Sequence, residues 1–101
     1  MHTHTVFFWL WYTTNDEKRK IFREGLEHLV KDPNVQSATI GEPAKTNRDV
    51  VENSYDFAIV VRFNNLSDHD AFQVGKHHDE FLECCKDLWS RVQVFDIESR
   101  E

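Results

Sequence analysis

The chain is poor in the residues that break or staple a backbone: three glycines, two prolines and two cysteines in 101 residues. With so few breakers, only the polar stretch from Gly41 to about Asn53 reads as a linker, and no repeat or low-complexity segment is present. The cysteines, Cys84 and Cys85, are neighbours in a helical pattern. Adjacent helical positions point about 100° apart, so an internal disulfide demands unusual geometry, and a thiolate metal site needs wider spacing and more ligands. Basic residues are in deficit, 12 against 18 acidic, for a formal charge of −6. That balance disfavours nucleic acid or an anionic membrane as the main ligand. Long apolar runs are missing too. The N-terminal "TVFFWLWY" is eight residues long. It lacks a basic flank and a small-residue cleavage site, and it is too short to span a bilayer. A cytoplasmic protein with reduced thiols is expected.

What the chain does have is aromatic content, 13% within a hydrophobic fraction of 40%, which suits a single packed domain over residues 1–101. "HTVFFWLWY" reads as a strand. Its alternation puts His4, Val6, Phe8 and Leu10 on one face and Phe7, Trp9 and Trp11 on the other, so something must cover each side. "TNDE" has the form of a capping box, with Thr14 as N-cap and Glu17 three positions on. Ile21, Phe22, Leu26, Leu29 and Val30 then recur at helical spacing until about Asp32, where Pro33 ends the helix. "VQSATIG" is a short strand, and "YDFAIVVRF" is the clearest one. Its residues Tyr55, Phe57, Ile59, Val61 and Phe63 share one face; Asp56, Ala58, Val60 and Arg62 share the other. Ser67 with Asp70 opens a short helix containing Ala71 and Phe72. Gly75 interrupts it before a longer helix from Lys76 to about Trp89, and "RVQVFDIE" closes the chain as a strand.

The order β-α-β-β-α-β predicts an α+β, ferredoxin-like sandwich with a four-stranded antiparallel sheet. Two helical regions cover only one face of such a sheet. Phe7, Trp9, Trp11, Ala58 and Val60 lie on the other, and that apolar face predicts a homodimer packed sheet against sheet.

Chemistry is concentrated in "FQVGKHHDEF", residues 72–81. Helical geometry separates its two histidines. His78 falls within the stripe of Phe81, Leu82, Cys85, Leu88 and Trp89, whereas His77 lies about 100° away at the rim, beside Cys84. One metal ion is poorly served by both. An inward His78 suits a general base near neutral pH; it equally suits a core imidazole with one nitrogen hydrogen-bonded. His4 shares the helix-covered face, so His4 and His78 are expected to border one cavity. Val6, Phe8, Leu26, Phe57, Ile59, Phe72 and Phe81 are expected to line it. His2 has the same parity but sits at a fraying end, and His28 and His69 read as solvated helix positions. His2 and His4 with an acidic residue would make a metal site, yet nothing nominates the third ligand. No metal and no cofactor are expected.

Five segments, "HTVFFWLW", "GLEHLVKDPNVQSATIG", "SYDFAIVVRF", "HDAFQVGKHHDEF" and "VQVFDIE", together resemble the stress-responsive A/B barrel domain over roughly residues 4–98. The resemblance implies a ferredoxin-like fold dimerised through its sheets into an α+β barrel, in a family whose members mostly lack a defined activity. It also implies an enzymatic alternative, since olivetolic acid cyclase, a distant relative, closes a polyketide ring with a Tyr and a His. The family pattern Tyr-x-x-His-Pro-x-His-x-x-Phe falls on Phe72 to Phe81. His78 takes the second His position, Phe81 the last, and His4 matches the His that opens the first strand. Phe72 stands in place of the Tyr, Gly75 and Lys76 in place of His-Pro, and Phe57 in place of a pocket His. Two expectations follow: a homodimeric barrel holding a hydrophobic small molecule, or a cyclase- or lyase-like enzyme with His78 as base and His4 as helper. Cofactor-free monooxygenases and haem-degrading enzymes share the wider barrel architecture, but their site residues are not recognisable here.

Overall fold

Alternation of apolar side chains dominates the chain and also sets its topology. In the computed structural model, which describes residues 1–100, the elements are β1 (His2–Leu10), α1 (Asp16–Leu29), β2 (Ser37–Gly41), β3 (Phe57–Phe63), α2 (Leu66–Gln73), α3 (Lys76–Cys85) and β4 (Trp89–Glu98). A short 3-10 turn, Lys86–Leu88, joins α3 to β4. The four strands form one antiparallel sheet in the order β2-β3-β1-β4. This is the expected α+β ferredoxin-like architecture, with all helices on one face. No helix among the described residues is long and apolar enough to cross a membrane.

The two central strands carry the cleanest period-two burial. His2, His4, Val6, Phe8 and Leu10 are buried along β1, and Phe57, Ile59, Val61 and Phe63 along β3. In register Val6 lies opposite Ile59 and Phe8 opposite Phe57, so the same parity faces the helices on both strands. Phe22 of α1 anchors the layer above, with ring centroids 5.1 Å from Phe8, 5.5 Å from Phe57 and 5.8 Å from Phe81. Gly25 lets α1 approach α3: a Cβ there would lie 2.5 Å from the Cys85 sulfur. Ile21, counted with the apolar stripe from spacing alone, is exposed.

Element ends differ from the sequence reading by one to a few residues. Asn15, not Thr14, caps α1, its side-chain oxygen accepting from Lys18 N at 2.8 Å; Thr14 N donates to Trp11 O in the preceding turn. Asn65, not Ser67, caps α2 by accepting from Asp68 N. In both places an Asn side chain, whose amide oxygen is a strong N-cap acceptor, takes the free amide three residues on. α3 stops at Cys85 because the chain tightens into the 3-10 turn, and α1 stops at Leu29, three residues short of Asp32. Tyr55 and Asp56 precede β3 rather than opening it.

The open face of the sheet is less bare than the strand pattern implies. Tyr55 packs on Phe7 with centroids 4.9 Å apart, Trp9 Nε1 donates to Ser54 Oγ at 3.0 Å, and the Arg91 guanidinium lies 4.3 Å over the Trp9 ring. The chain before β3 therefore folds back over one end of that face. Trp11, expected to extend it, lies beyond the end of β1 and is 51% exposed. The pairing of β1 with β4 shifts register between Trp9 and Leu10, and the strand ends at Leu10, one residue before Trp11. At the other end Phe95 and Ile97 of β4, unassigned from sequence, are 54% and 57% exposed.

Candidate functional site

Asp56 and Asn65, at the two ends of β3, fix how the helices sit over the sheet. Asp56 Oδ2 accepts from Leu10 N at 2.7 Å and its Oδ1 accepts from Arg19 of α1 at 3.0 Å. Asn65 starts α2 directly after β3, so that Phe72 falls over the centre of the sheet. Gly75 then separates α2 from α3. Its φ of −85° is open to any residue, but a Cβ would lie 3.0 Å from Asp32 Oδ2 and 3.1 Å from the Ala71 carbonyl oxygen. The glycine relieves a close approach that a side chain could enter only if Asp32 or the α2 end gave way slightly; the backbone itself is not left-handed.

Between α2–α3 and the sheet lies a cavity of about 130 Å³. His4, Val6, Phe8, Ile59, Phe72, His78 and Phe81 line it, with Leu29, Leu82 and the β4 side chains Val92 and Val94 completing the wall. Leu26 and Phe57, expected in the lining, are fully buried in the core beneath α1 instead. The missed contributors are Leu29, Gln73 and Leu82 from the helices and Trp89, Val92 and Val94 from β4, where Val94 lies opposite Val6 and Val92 opposite Phe8.

His78 enters this cavity from the first turn of α3. Its ring meets the edge of Phe72 with centroids 5.8 Å apart, and no hydrogen bond holds either nitrogen among the described residues. Burial lowers its pKa from the ordinary imidazole value, the neighbouring Asp79 carboxylate opposing that shift. His78 is therefore neutral at pH 7 and has a free lone pair. Phe72 also touches His4, at 6.3 Å between centroids, and so stands between the two imidazoles. His77 turns the other way. It stacks on His28 of α1 at 4.8 Å and lies 3.8 Å from the buried Asp32 carboxylate, while His28 bonds Glu80 at 2.9 Å.

A second polar group occurs where β1, α2 and β4 meet. His4 Nδ1 lies 2.6 Å from Asp96 Oδ1, His2 Nε2 lies 3.2 Å from the same oxygen, and His69 Nε2 lies 3.8 Å from it. The His69 ring packs against His2 at 4.3 Å and His4 at 5.0 Å. Two sequence expectations fail here. His69 is 8% exposed rather than solvated, because it lies one turn before Phe72 on the sheet-facing side of α2. His2 is 5% exposed rather than frayed, because β3 and β4 pair with it from both sides. His69 and Asp96 are the partners of His2 and His4 that the sequence could not nominate. Burial pushes the His4 pKa down, against the bond from Asp96, and His69 and His2 add to the lowering. For Asp96 burial acts upward, but the bonds from His4 and His2 outweigh it and leave its pKa lowered.

The profile of the stress responsive A/B barrel domain matches residues 3–99, nearly the full chain. The chain belongs to the stress responsive A/B barrel domain family. Solved structures agree with the fold at low sequence identity. A stress responsive A/B barrel family protein from Mesorhizobium loti has a TM-score of 0.78 at 16% identity, covering 99% of this chain and 97% of that one. A dimeric ferredoxin-like protein of unknown function from Thermobifida fusca has a TM-score of 0.77 at 16% identity, covering 95% and 88%. The hydroxynitrile lyase of Passiflora edulis has a TM-score of 0.80 at 14% identity, covering 99% and 94%. No curated protein sequence matches the chain. The polar groups that line the cavity between helices and sheet are His4, Gln73 and His78.

Proposed function

We propose that this stress-responsive A/B barrel protein is a cytoplasmic homodimer that binds a small apolar or aromatic molecule in the cavity beside His78. The cavity carries the reading. At about 130 Å³ it approaches the size, about 150 Å³, at which an apolar cavity takes up benzene. It is well below the roughly 300–1,000 Å³ of clefts that hold drug-sized ligands. A one-ring ligand fits that bound, and an extended polyketide does not. Dimerisation is supported by the dimeric Thermobifida fusca relative in fold and by the exposed Phe95 and Ile97 beside Phe7, Ala58 and Val60 on the open face.

A second reading rests on His78 specifically. A neutral imidazole with no hydrogen-bond partner, aimed into an apolar cavity, is equipped to take a proton from a C–H or O–H of a bound ligand. The imidazolium then returns that proton in a later step. His4 would orient the ligand, and Phe72 supplies no hydroxyl to help. A lyase among the structures of similar fold supports this class of chemistry. Crystals soaked with a monocyclic aromatic test the binding reading: density between Phe72 and Leu82 is expected, and a cavity filled by rearranged side chains contradicts it. Turnover of hydroxynitriles by wild type but not by His78→Ala would favour catalysis; equal turnover by both removes His78 from any mechanism.

A further inference from the structure

We infer that His2, His4, His69 and Asp96 form a binding site for one divalent transition-metal ion of the zinc class. The four side chains each offer one donor atom, and these atoms all lie within 4.8 Å of one another. Zinc bonds of about 2.0–2.1 Å to nitrogen and oxygen place the corners of a tetrahedron about 3.4 Å apart. Around Asp96 Oδ1 the three imidazole nitrogens lie at 2.6, 3.2 and 3.8 Å, which brackets that edge. The widest donor separation, up to 4.8 Å, must close by about 1.4 Å to reach that edge, a movement that rotation of the side chains can supply.

The geometry of His69 suits a metal ligand. Its Nδ1 lies 3.1 Å from Asp70 Oδ1. A carboxylate there fixes the proton on Nδ1, leaving Nε2 as a bare lone pair. That Nε2 is buried, has no hydrogen-bond partner, and faces the Asp96 carboxylate. A lone pair aimed at an anion in a buried setting is unfavourable unless a proton or a metal ion lies between them. An imidazole held by a carboxylate on its far nitrogen is the arrangement that orients a histidine toward a metal.

Three imidazoles with one carboxylate suit zinc, and also copper, nickel or iron(II), better than calcium or magnesium, which prefer oxygen donors. On metal binding the protons on His2 Nε2 and His4 Nδ1 relocate to the opposite ring nitrogens, so neutral imidazoles coordinate without a change in ligand charge. His2 Nδ1 has no partner in the protein, so a proton placed there is unsupported and His2 is the weakest donor of the four. Asp96 lies on the edge strand with its side chain 44% exposed, which gives an ion a way in. The site joins β1, α2 and β4, and it stands whether or not the neighbouring cavity takes a ligand.

The test uses tag-free protein stripped with a chelator, titrated with Zn²⁺ by calorimetry and with Co²⁺ by visible absorption. One ion per chain and the absorption of four-coordinate cobalt are expected, with a metal-dependent rise in Tm. Asp70→Asn, acting through His69, should weaken zinc about ten- to hundredfold; His69→Gln and Asp96→Asn should weaken it further, and His2→Ala least among the ligands. His28→Gln, in the separate pair with Glu80, should leave the titration unchanged. If His69→Gln fails to fold, Asp96→Asn on the exposed edge carries the comparison. Absence of saturable binding in wild type, or affinity retained in both Asp96→Asn and Asp70→Asn, overturns the site.

Discussion

His4 of β1 and Asp96 of β4 sit directly opposite each other in the strand register, and Nδ1 of one lies 2.6 Å from Oδ1 of the other. His4 of this pair lines the cavity that His78 also lines. A strand-to-strand contact thus borders a cavity that holds two imidazoles in its lining. Around that frame the chain's behaviour can be forecast residue by residue.

Burial lowers the His78 pKa, which couples its protonation to folding. The unfolded ring titrates near its ordinary value of about 6.5, and the folded ring titrates lower. Above about 6.5 both states are neutral and His78 adds no pH dependence. As pH falls below that value the unfolded chain binds the proton first, so stability drops until pH passes the lowered folded pKa. His78→Gln should flatten this part of the stability–pH curve. Urea unfolding from pH 7.5 to 5 measures it, and an unchanged slope would contradict the buried, neutral ring.

Gly25 and Cys85 form the closest approach between α1 and α3. Gly25→Ala should destabilise the fold by about 1–3 kcal/mol through overpacking. Cys85→Ala opens space at the same point, so the double variant should recover part of that loss. Additive losses in a double-mutant cycle of thermal unfolding would mean that the two positions do not meet.

The two cysteines should differ in reactivity despite being neighbours. Cys84 is exposed, while Cys85 is buried and burial pushes its thiol up to about 12. Iodoacetamide on native protein at pH 8 should add one group, at Cys84, with the second appearing only in denaturant. Mass spectrometry of the peptides reads this directly, and equal native labelling would refute the burial of Cys85.

Phe95 and Ile97 expose apolar surface on the open sheet face. The variants Phe95→Asp and Ile97→Asp should shift the protein from dimer to monomer in sedimentation equilibrium, with folded far-UV spectra retained. A dimer that persists in both would place the interface elsewhere.

The fold is legible in the sequence because β1 and β3 alternate without interruption, and because α1 and α3 keep apolar stripes at helical spacing. Those periods decide which face meets the helices, and so they place His4 and His78 toward one cavity. The polar cluster is not legible in the same way. Asp96 lies 92 positions from His4, and only the pairing of β1 with β4 brings them together. His69 was hidden because α2 has just eight residues, too few for a stripe to show which side faces inward. The cover that Ser54 and Tyr55 lay over Trp9 and Phe7 comes from a segment without periodicity. No pattern in such a segment reports where it folds.

The binding of a small ring beside His78 is tested most directly by titrating phenol into the protein while following the His78 ring resonances by NMR. Saturable shifts at His78, one ligand per chain, are expected in wild type and should vanish in Leu82→Trp, whose indole would fill the cavity. Silent His78 resonances at high phenol, or shifts that persist in Leu82→Trp, would contradict the account.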